Sequence, residues 1–448
     1  MNDDLLDLTA QLLDAARKAG AEAADAMAAK GTAVSIDVRQ GRLEQAERSE
    51  HVEIGLRVLL GDRQACVSAS DISPRTIATL AERAVAMARE APRDPSVGLA
   101  DPGELATDRD ETRLDLVDPA PEPTAAALEA DAFEAEAAAL AVPGISRVES
   151  ASASFHRSRG AIAATNGFTG TDARTSSSIS CVAITGEGLG MERDWAAETR
   201  TYRSDLPSAA EIGRRAGERT AARLGARKPP TGRFPVLYDE RVASGLIGHL
   251  LAAVNGAAIV RGASWLRDAL GRQVLPDGLT ITEDPHRPRI GPSQLFDTEG
   301  LPTARRDIVK DGILTGWTLD LGTARRLGMR STANAARSIG APPTPSLTSI
   351  ALTQGPASRE DLIRDMGTGL IVTAMLGASV NPTTGDYSRG ASGFWVEGGE
   401  IRYPVNECTI AGNLRDILMR IIPANDARPY VSHVVPSLLA EGLTIAGQ

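Results

Sequence analysis

Five histidines, His51, His156, His249, His286 and His433, and three cysteines, Cys66, Cys181 and Cys408, are the whole supply of imidazole and thiol metal ligands in the chain. His249 is the informative one, because "GLIGHLLAAVNG" reads as a short helix between glycines. A zinc hydrolase built on such a helix needs a second histidine about one turn on and a glutamate beside the first, so that a metal-bound water can form and lose its proton. The residue after His249 is Leu250, and one turn further stand Ala253 and Val254. None of these can bind zinc or move a proton. His249 shares a helical face with Leu246 and Ala253, which suits a packed or hydrogen-bonded histidine. A contact to a peptide or a partner subunit is the functional alternative.

Other chemistries find less support. In "EDPHRPR", His286 lies near Glu283 and Asp284, but flanking Pro285 and Pro288 suit a solvated loop and no fourth ligand converges. "RGASGFW" lacks a nucleophile elbow, because Phe394 stands where the second glycine belongs. "ITGEGLGME" has the spacing of a glycine-rich turn and not of a dinucleotide loop. The cysteines are odd in number and widely spaced, so neither a disulfide framework nor a CxxC site is indicated.

The elements that must position these residues follow from periodicity. "DDLLDLTAQLLDAARKAGAEAADAMAA" predicts an amphipathic helix ending near Gly31, then strands broken at Gln40-Gly41 and Gly61-Asp62, then a helix opened by Pro74. Residues 92–124, rich in Pro and Asp, read as a connection. "AAALEADAFEAEAAALA" predicts another helix, followed by strands over about 144–204 and a helix stopped by Pro229-Pro230. Beyond it the chain is turn-rich and strand-like, with hairpins expected at Asp311-Gly312 and Gly398-Gly399 and a helical insertion over 240–270. The fold class is α+β: an N-terminal α+β domain of helices and antiparallel strands over 1–230, with subdomains near 1–91 and 125–230 and a 92–124 linker, then a β-rich C-terminal domain over 231–448.

A net charge of -10 offers no general attraction for phosphate backbones, and 3% aromatic residues leave few stacking platforms, so direct nucleic-acid binding is not expected. No segment approaches about 18 consecutive apolar residues, and "MNDDLLDLTA" is unlike a secretory leader. No membrane partner is expected, and the expected location is the cytoplasm.

Several ordered blocks, "FDTEGLPTARRDIVKDGILTGWTLD", "MGTGLIVTAMLG", "NPTTGDYSRGASGFWVEGGEIRYPV" and "TIAGNLRDIL", with a terminal "LTIAGQ", closely resemble the TldD/PmbA family over 234–448. The resemblance implies a cytosolic heterodimeric peptidase, linked to maturation of modified peptides and degradation of small or unfolded ones, and carrying an older label of modulator of DNA gyrase. It implies that a TldD-type chain holds zinc through an HExxxH motif and a C-terminal cysteine, and that the PmbA-type chain, also called TldE, lacks them. Here His249 occupies the first histidine position, Leu250 and Val254 take the other two, and no cysteine follows Cys408. The resemblance therefore implies a non-catalytic PmbA/TldE-type subunit with no cofactor of its own, zinc in a TldD-type catalytic partner, and peptide substrates. Whether the isolated chain forms a homodimer is left open.

Candidate peptide- or partner-binding residues are His249 and Asn255 on the helical insertion, and Asp386, Tyr387 and Arg389 in "TTGDYSRG". Asp386 and Arg389 offer charge-assisted bonds and Tyr387 an amphipathic surface; the alternative is a tight turn whose polar groups satisfy each other. Arg305, Arg306 and Asp307 read as a solvated hairpin face. Two other functions stay open: hydrolysis by this chain through a metal site assembled from His249, Asp386 and His433, and a regulator that binds other proteins.

Overall fold

A computed structural model describes residues 3–447; Met1, Asn2 and Gln448, at the ends of the two expected domains, lie outside the described residues. The N-terminal part uses one order of elements twice. Helix α1 (Asp3–Ala19) leads into strands β1 (Ala23–Arg39), β2 (Arg42–Leu60) and β3 (Arg63–Ala69), and helix α2 (Pro74–Glu90) follows. Then α3 (Ala125–Leu140), β4 (Ile145–Ala164), β5 (Thr169–Thr185), β6 (Glu192–Arg200) and α4 (Ala209–Ala221) repeat the pattern. All six strands form one antiparallel sheet in the order β3-β2-β1-β4-β5-β6. The two halves join through β1 and β4, paired from Asp25↔Ala164 to Val38↔Ala151.

Residues alternate across a strand, and the even positions of β1 face the helices along its length. Ala24, Ala26 and Ala28 pack in the core that holds Leu12 of α1 and Leu80 of α2. Val34, Ile36 and Val38 pack in the core that holds Leu128 of α3 and Ile212 of α4. The helix expected to run to Gly31 stops at Ala19, and Ala23–Ala29 belong to β1. Gly20, at φ +98, ends the helix, and pairing with both β2 and β4 outweighs alanine's intrinsic helix preference.

The C-terminal part begins with β7 (Gly232–Tyr238), α5 (Glu240–Ala253) and α6 (Gly256–Val260). Next come β8 (Ile281–Glu283), β9 (Arg306–Lys310), β10 (Ile313–Leu314), α7 (Leu321–Leu327), β11 (Ala335–Ala336), β12 (Thr344–Pro345), β13 (Ile350–Leu352) and α8 (Arg359–Met366). The chain closes with β14 (Gly369–Val380), β15 (Asp386–Glu397), β16 (Glu400–Asn413), α9 (Leu414–Leu418), β17 (Ile421–Pro423), β18 (His433–Val434) and β19 (Leu438–Ala446). Strands β16, β15, β14, β7 and β19 follow one another in a sheet, and β16 pairs again with β19, so the five close into a barrel. A second sheet, β10-β9-β8-β13-β18, flanks it. Both expected hairpin turns form with left-handed backbone, at Asp311 (φ 50) and Gly312 (φ 78), and at Gly398 (φ 62) and Gly399 (φ 76).

The 92–124 segment is pinned on both sides. Its Ala106 amide donates to Gly300 O at 2.8 Å, and its Leu114 and Leu116 carbonyls accept from Arg289 N and Thr175 N, each at 2.9 Å. It forms a layer between the N-terminal sheet and the C-terminal part. Arg306 departs from the expected solvated face: its Nε lies 2.8 Å from the carboxylate of Glu283, which is 2% exposed. Asp307 accepts from the Thr282 hydroxyl at 2.8 Å.

Candidate functional site

Asp239 caps α5 by accepting the Arg241 amide at 3.3 Å. Leu246, Ile247 and Leu250 then turn into the core shared with Val236, Tyr238, Val372 and Trp395. That packing fixes the rotation of the helix and leaves His249 half-buried on its flank. The imidazole meets the ring of Tyr387 edge to face, with centroids 5.7 Å apart. Tyr387 stands on β15 at 3% exposure and donates its hydroxyl to the Met375 thioether of β14 at 3.7 Å. Arg389, two residues on and therefore on the same face of β15, supplies a guanidinium near both.

Burial, and then the Arg389 charge, hold the His249 imidazole below its usual range, so it is neutral at physiological pH. Burial and the Tyr387 phenol raise Tyr238 well above the ordinary tyrosine range, so it stays protonated. His249 Nε2 and Arg389 Nε are both buried without a hydrogen-bond partner among the described residues. Buried polar atoms are normally paired. Two unpaired nitrogens in one cluster are therefore groups that an incoming molecule can satisfy.

The structure brings together His249, Tyr387 and Arg389 of the expected candidates, and it separates Asp386 and Asn255 from them. Asp386 is exposed and accepts from the Thr384 hydroxyl at 2.6 Å and the Asn413 amide at 3.2 Å. Those bonds, Thr384's first, hold its carboxyl below the usual range. Asp386 opens β15 and makes no bond to Arg389, because residues three apart on a strand point to opposite faces. Asn255 caps α6, accepting from Ala257 N at 3.0 Å and donating to Pro345 O at 2.8 Å. Tyr238 and Met375 were not singled out from the sequence. Only the alternation of "FPVLYDE", which puts Tyr238 on the same face as Val236, pointed to the first.

Zinc does not fit this cluster. Leu250 and Val254, at the positions a zinc helix reserves for its base and second histidine, are 0% exposed in the core. Cys408 is buried with its thiol donating to Ala391 O at 3.2 Å, and burial pushes that thiol up to about 11. His286 meets the Thr303 hydroxyl at 3.0 Å, and His433 lies in β18 beside Ile350 of β13. Among the described residues no three His, Cys, Asp or Glu side chains converge on a point where a metal could be held, so His249, Asp386 and His433 do not assemble the alternative site.

The comparisons with known proteins agree over the whole length. The chain matches the PmbA/TldA metallopeptidase domain 1 at residues 24–88, the central domain at 118–224 and the C-terminal domain at 231–447. It is 38% identical to Metalloprotease PmbA of Escherichia coli O157:H7, over 98% of this chain and 95% of that one. It is 36% identical to the Metalloprotease PmbA homolog of Haemophilus influenzae, over 97% and 94%. A crystal structure from Bacteroides thetaiotaomicron, described as a proposed modulator of DNA gyrase, superposes with a TM-score of 0.88 at 26% identity and covers 100% of both chains. TldE from Thermococcus kodakarensis shares the fold, with a TM-score of 0.84 at 19% identity over 98% of this chain and 100% of that one. The α+β architecture, the β-rich C-terminal part and the matches in all three regions establish that this chain belongs to the TldD/PmbA family of metallopeptidase homologues.

Proposed function

We propose that this chain is the PmbA/TldE-type subunit of a cytoplasmic two-chain peptidase. It holds extended peptides, while a TldD-type partner supplies the zinc and the hydrolytic chemistry. The observation that carries this reading is the division within one short helix: Leu250 and Val254 are consumed by the core, whereas His249 Nε2 beside them is left unpaired next to Arg389 Nε.

A peptide in extended form presents a carbonyl and an amide at every residue. The Arg389 guanidinium can donate to a carbonyl or a terminal carboxylate, and a neutral imidazole can donate or accept according to its tautomer. Tyr387 and Met375 supply the apolar wall beside them. Folded proteins have already spent their backbone groups on their own ladders, which favours small or unfolded substrates.

Coexpression with a TldD-type chain tests the reading. A stoichiometric complex should form, with zinc in the partner and chelator-sensitive cleavage of unstructured peptides that falls in Arg389→Met. Failure to copurify, or cleavage by the isolated chain that survives loss of the partner, would overturn it.

A further inference from the structure

The face of the N-terminal sheet opposite α1 to α4 is covered by the 92–124 segment and by the 293–298 loop, and between these layers lies a cavity of about 290 Å3. Its floor is formed by β1, β4 and β5, and Leu114, Leu295 and Phe296 close over it. Two glycines hold the floor open. A Cβ on Gly170 would stand 2.5 Å from the Phe296 ring, and one on Gly160 would stand 2.2 Å from Asp172 Oδ1.

The cavity is mostly apolar, with ionisable groups set into its walls. Three carboxyls line it, Glu111, Asp172 and Asp297, against two guanidiniums, Arg159 and Arg174. Asp172 is paired with Arg174 Nε at 3.1 Å, and Arg174 also donates to Ser293 O at 2.9 Å. Asp297 accepts the amides of Glu299, Leu301 and Ala335 at 2.9 to 3.0 Å. The Arg159 charge also acts on Asp4, outside the cavity. Glu111 is different: among the described residues its buried Oε1 has no partner, and neither has the Thr298 hydroxyl in the same lining.

We propose that this cavity binds a ligand with an apolar body and a single ammonium group, the body lying against Met27, Ile162 and Phe296 and the ammonium on the Glu111 carboxyl. The terminal torsion of a glutamate is broad, so Oε1 can turn into the cavity at little cost. An ammonium supplies both the donor that Oε1 lacks and the positive charge that holds the carboxyl once it ionises. A ligand that is neutral or anionic supplies only one of these or neither. Both a free amine and the first residue of a peptide carry this chemistry. The assignment shares no residue with the His249 cluster and stands independently of the subunit reading.

Proton release identifies the group involved. Burial, and then the Asp172 charge, push the Glu111 carboxyl up to about 8, so it is protonated in the empty cavity at neutral pH. The charged groups facing it are Asp172 and Arg174 of β5, with Arg159 of β4 and Asp297 of the covering loop on the other walls. On its own segment, Arg113 is paired with Asp108. An arriving ammonium ionises Glu111 and expels its proton.

The experiment is titration calorimetry on the full chain with 2-phenylethylamine, 2-phenylethanol, phenylacetate and phenylalanylglycinamide, at pH 7 in buffers of different ionisation enthalpy. Phenylethylamine should bind at least about tenfold more tightly than the alcohol or the acid, the scale of one charge-assisted hydrogen bond. It should release a proton, and Glu111→Gln should abolish both the preference and the release without unfolding the chain. Binding of phenylalanylglycinamide as well assigns the site to peptide amino termini; binding of phenylethylamine alone assigns it to small amines. No saturable amine binding, equal binding of the alcohol, or full binding by Glu111→Gln would overturn the proposal. A Thr298→Val variant that keeps a native melting temperature but weakens the amine provides a second check on the location.

Discussion

Rewriting α5 toward a zinc helix, with Leu250→Glu and Val254→His together, should break the C-terminal domain and create no hydrolase. Both positions are 0% exposed and belong to the core that α5 shares with the barrel strands. Removing the leucine side chain forfeits about 2 kcal/mol of apolar burial. A carboxyl without a partner costs about 1–3 kcal/mol more even when it stays protonated. A histidine ring in place of valine adds roughly 1–3 kcal/mol of overpacking. These terms total about 4–8 kcal/mol, and a domain of this size loses roughly 2–4 °C per kcal/mol. Scanning calorimetry of the full chain should therefore show the C-terminal transition falling by at least about 8 °C, with no zinc retained through gel filtration. A variant that melts like the wild type, takes up stoichiometric zinc and cleaves peptide would refute the reasoning. It would mean that the two side chains face a latent metal site and not the core.

Three further outcomes follow from particular contacts. Burial raises the Asp25 carboxyl, but the Arg57 and Arg337 guanidiniums outweigh it and hold the group below the usual range. Its contribution is thus present above the unfolded value of 3.8 and is lost as pH falls through the lower folded value. Arg337→Met should cost about 3–5 kcal/mol and move the acid-unfolding midpoint, read by tryptophan fluorescence, to higher pH; an unchanged midpoint would contradict the pairing. His249 has a depressed folded value, so the native state loses stability as pH drops below the unfolded 6.5. His249→Phe keeps an aromatic ring against Tyr387 and should flatten that decline between pH 6.5 and its lower folded value, which a melting-temperature series across pH would show. Gly393→Ala would place a Cβ 1.8 Å from Ile371 O across the β14–β15 ladder, and we expect loss of soluble protein; normal expression with native circular dichroism would refute the close approach.

Local signals in the sequence located most elements. Gln40-Gly41, Asp311-Gly312 and Gly398-Gly399 each became a turn because left-handed backbone was needed where strands reverse. Ala23–Ala29 misled, since an alanine-rich run carries a helix preference that a central strand position overrides. Within the site, His249 and Leu250 were readable from spacing, and Tyr387 and Arg389 from their residue types. The separation of Asp386 from Arg389 needed β15 to begin at Asp386 and alternate through Arg389, which composition does not encode. The Glu111 cavity was invisible for another reason: its walls come from β1, β4, β5 and two covering loops. In sequence, Glu111 is one acidic residue in a Pro- and Asp-rich connection.

On the proposed function, this chain contributes a surface and a partner contact, and no metal chemistry. The most direct measurement is elemental analysis and peptide cleavage on three samples: the purified chain, a TldD-type chain, and the two coexpressed. This chain alone should hold no stoichiometric zinc and cleave nothing, coexpression should give a one-to-one complex, and chelator-sensitive cleavage should require both chains. Stoichiometric zinc and chelator-sensitive cleavage by this chain alone would contradict it.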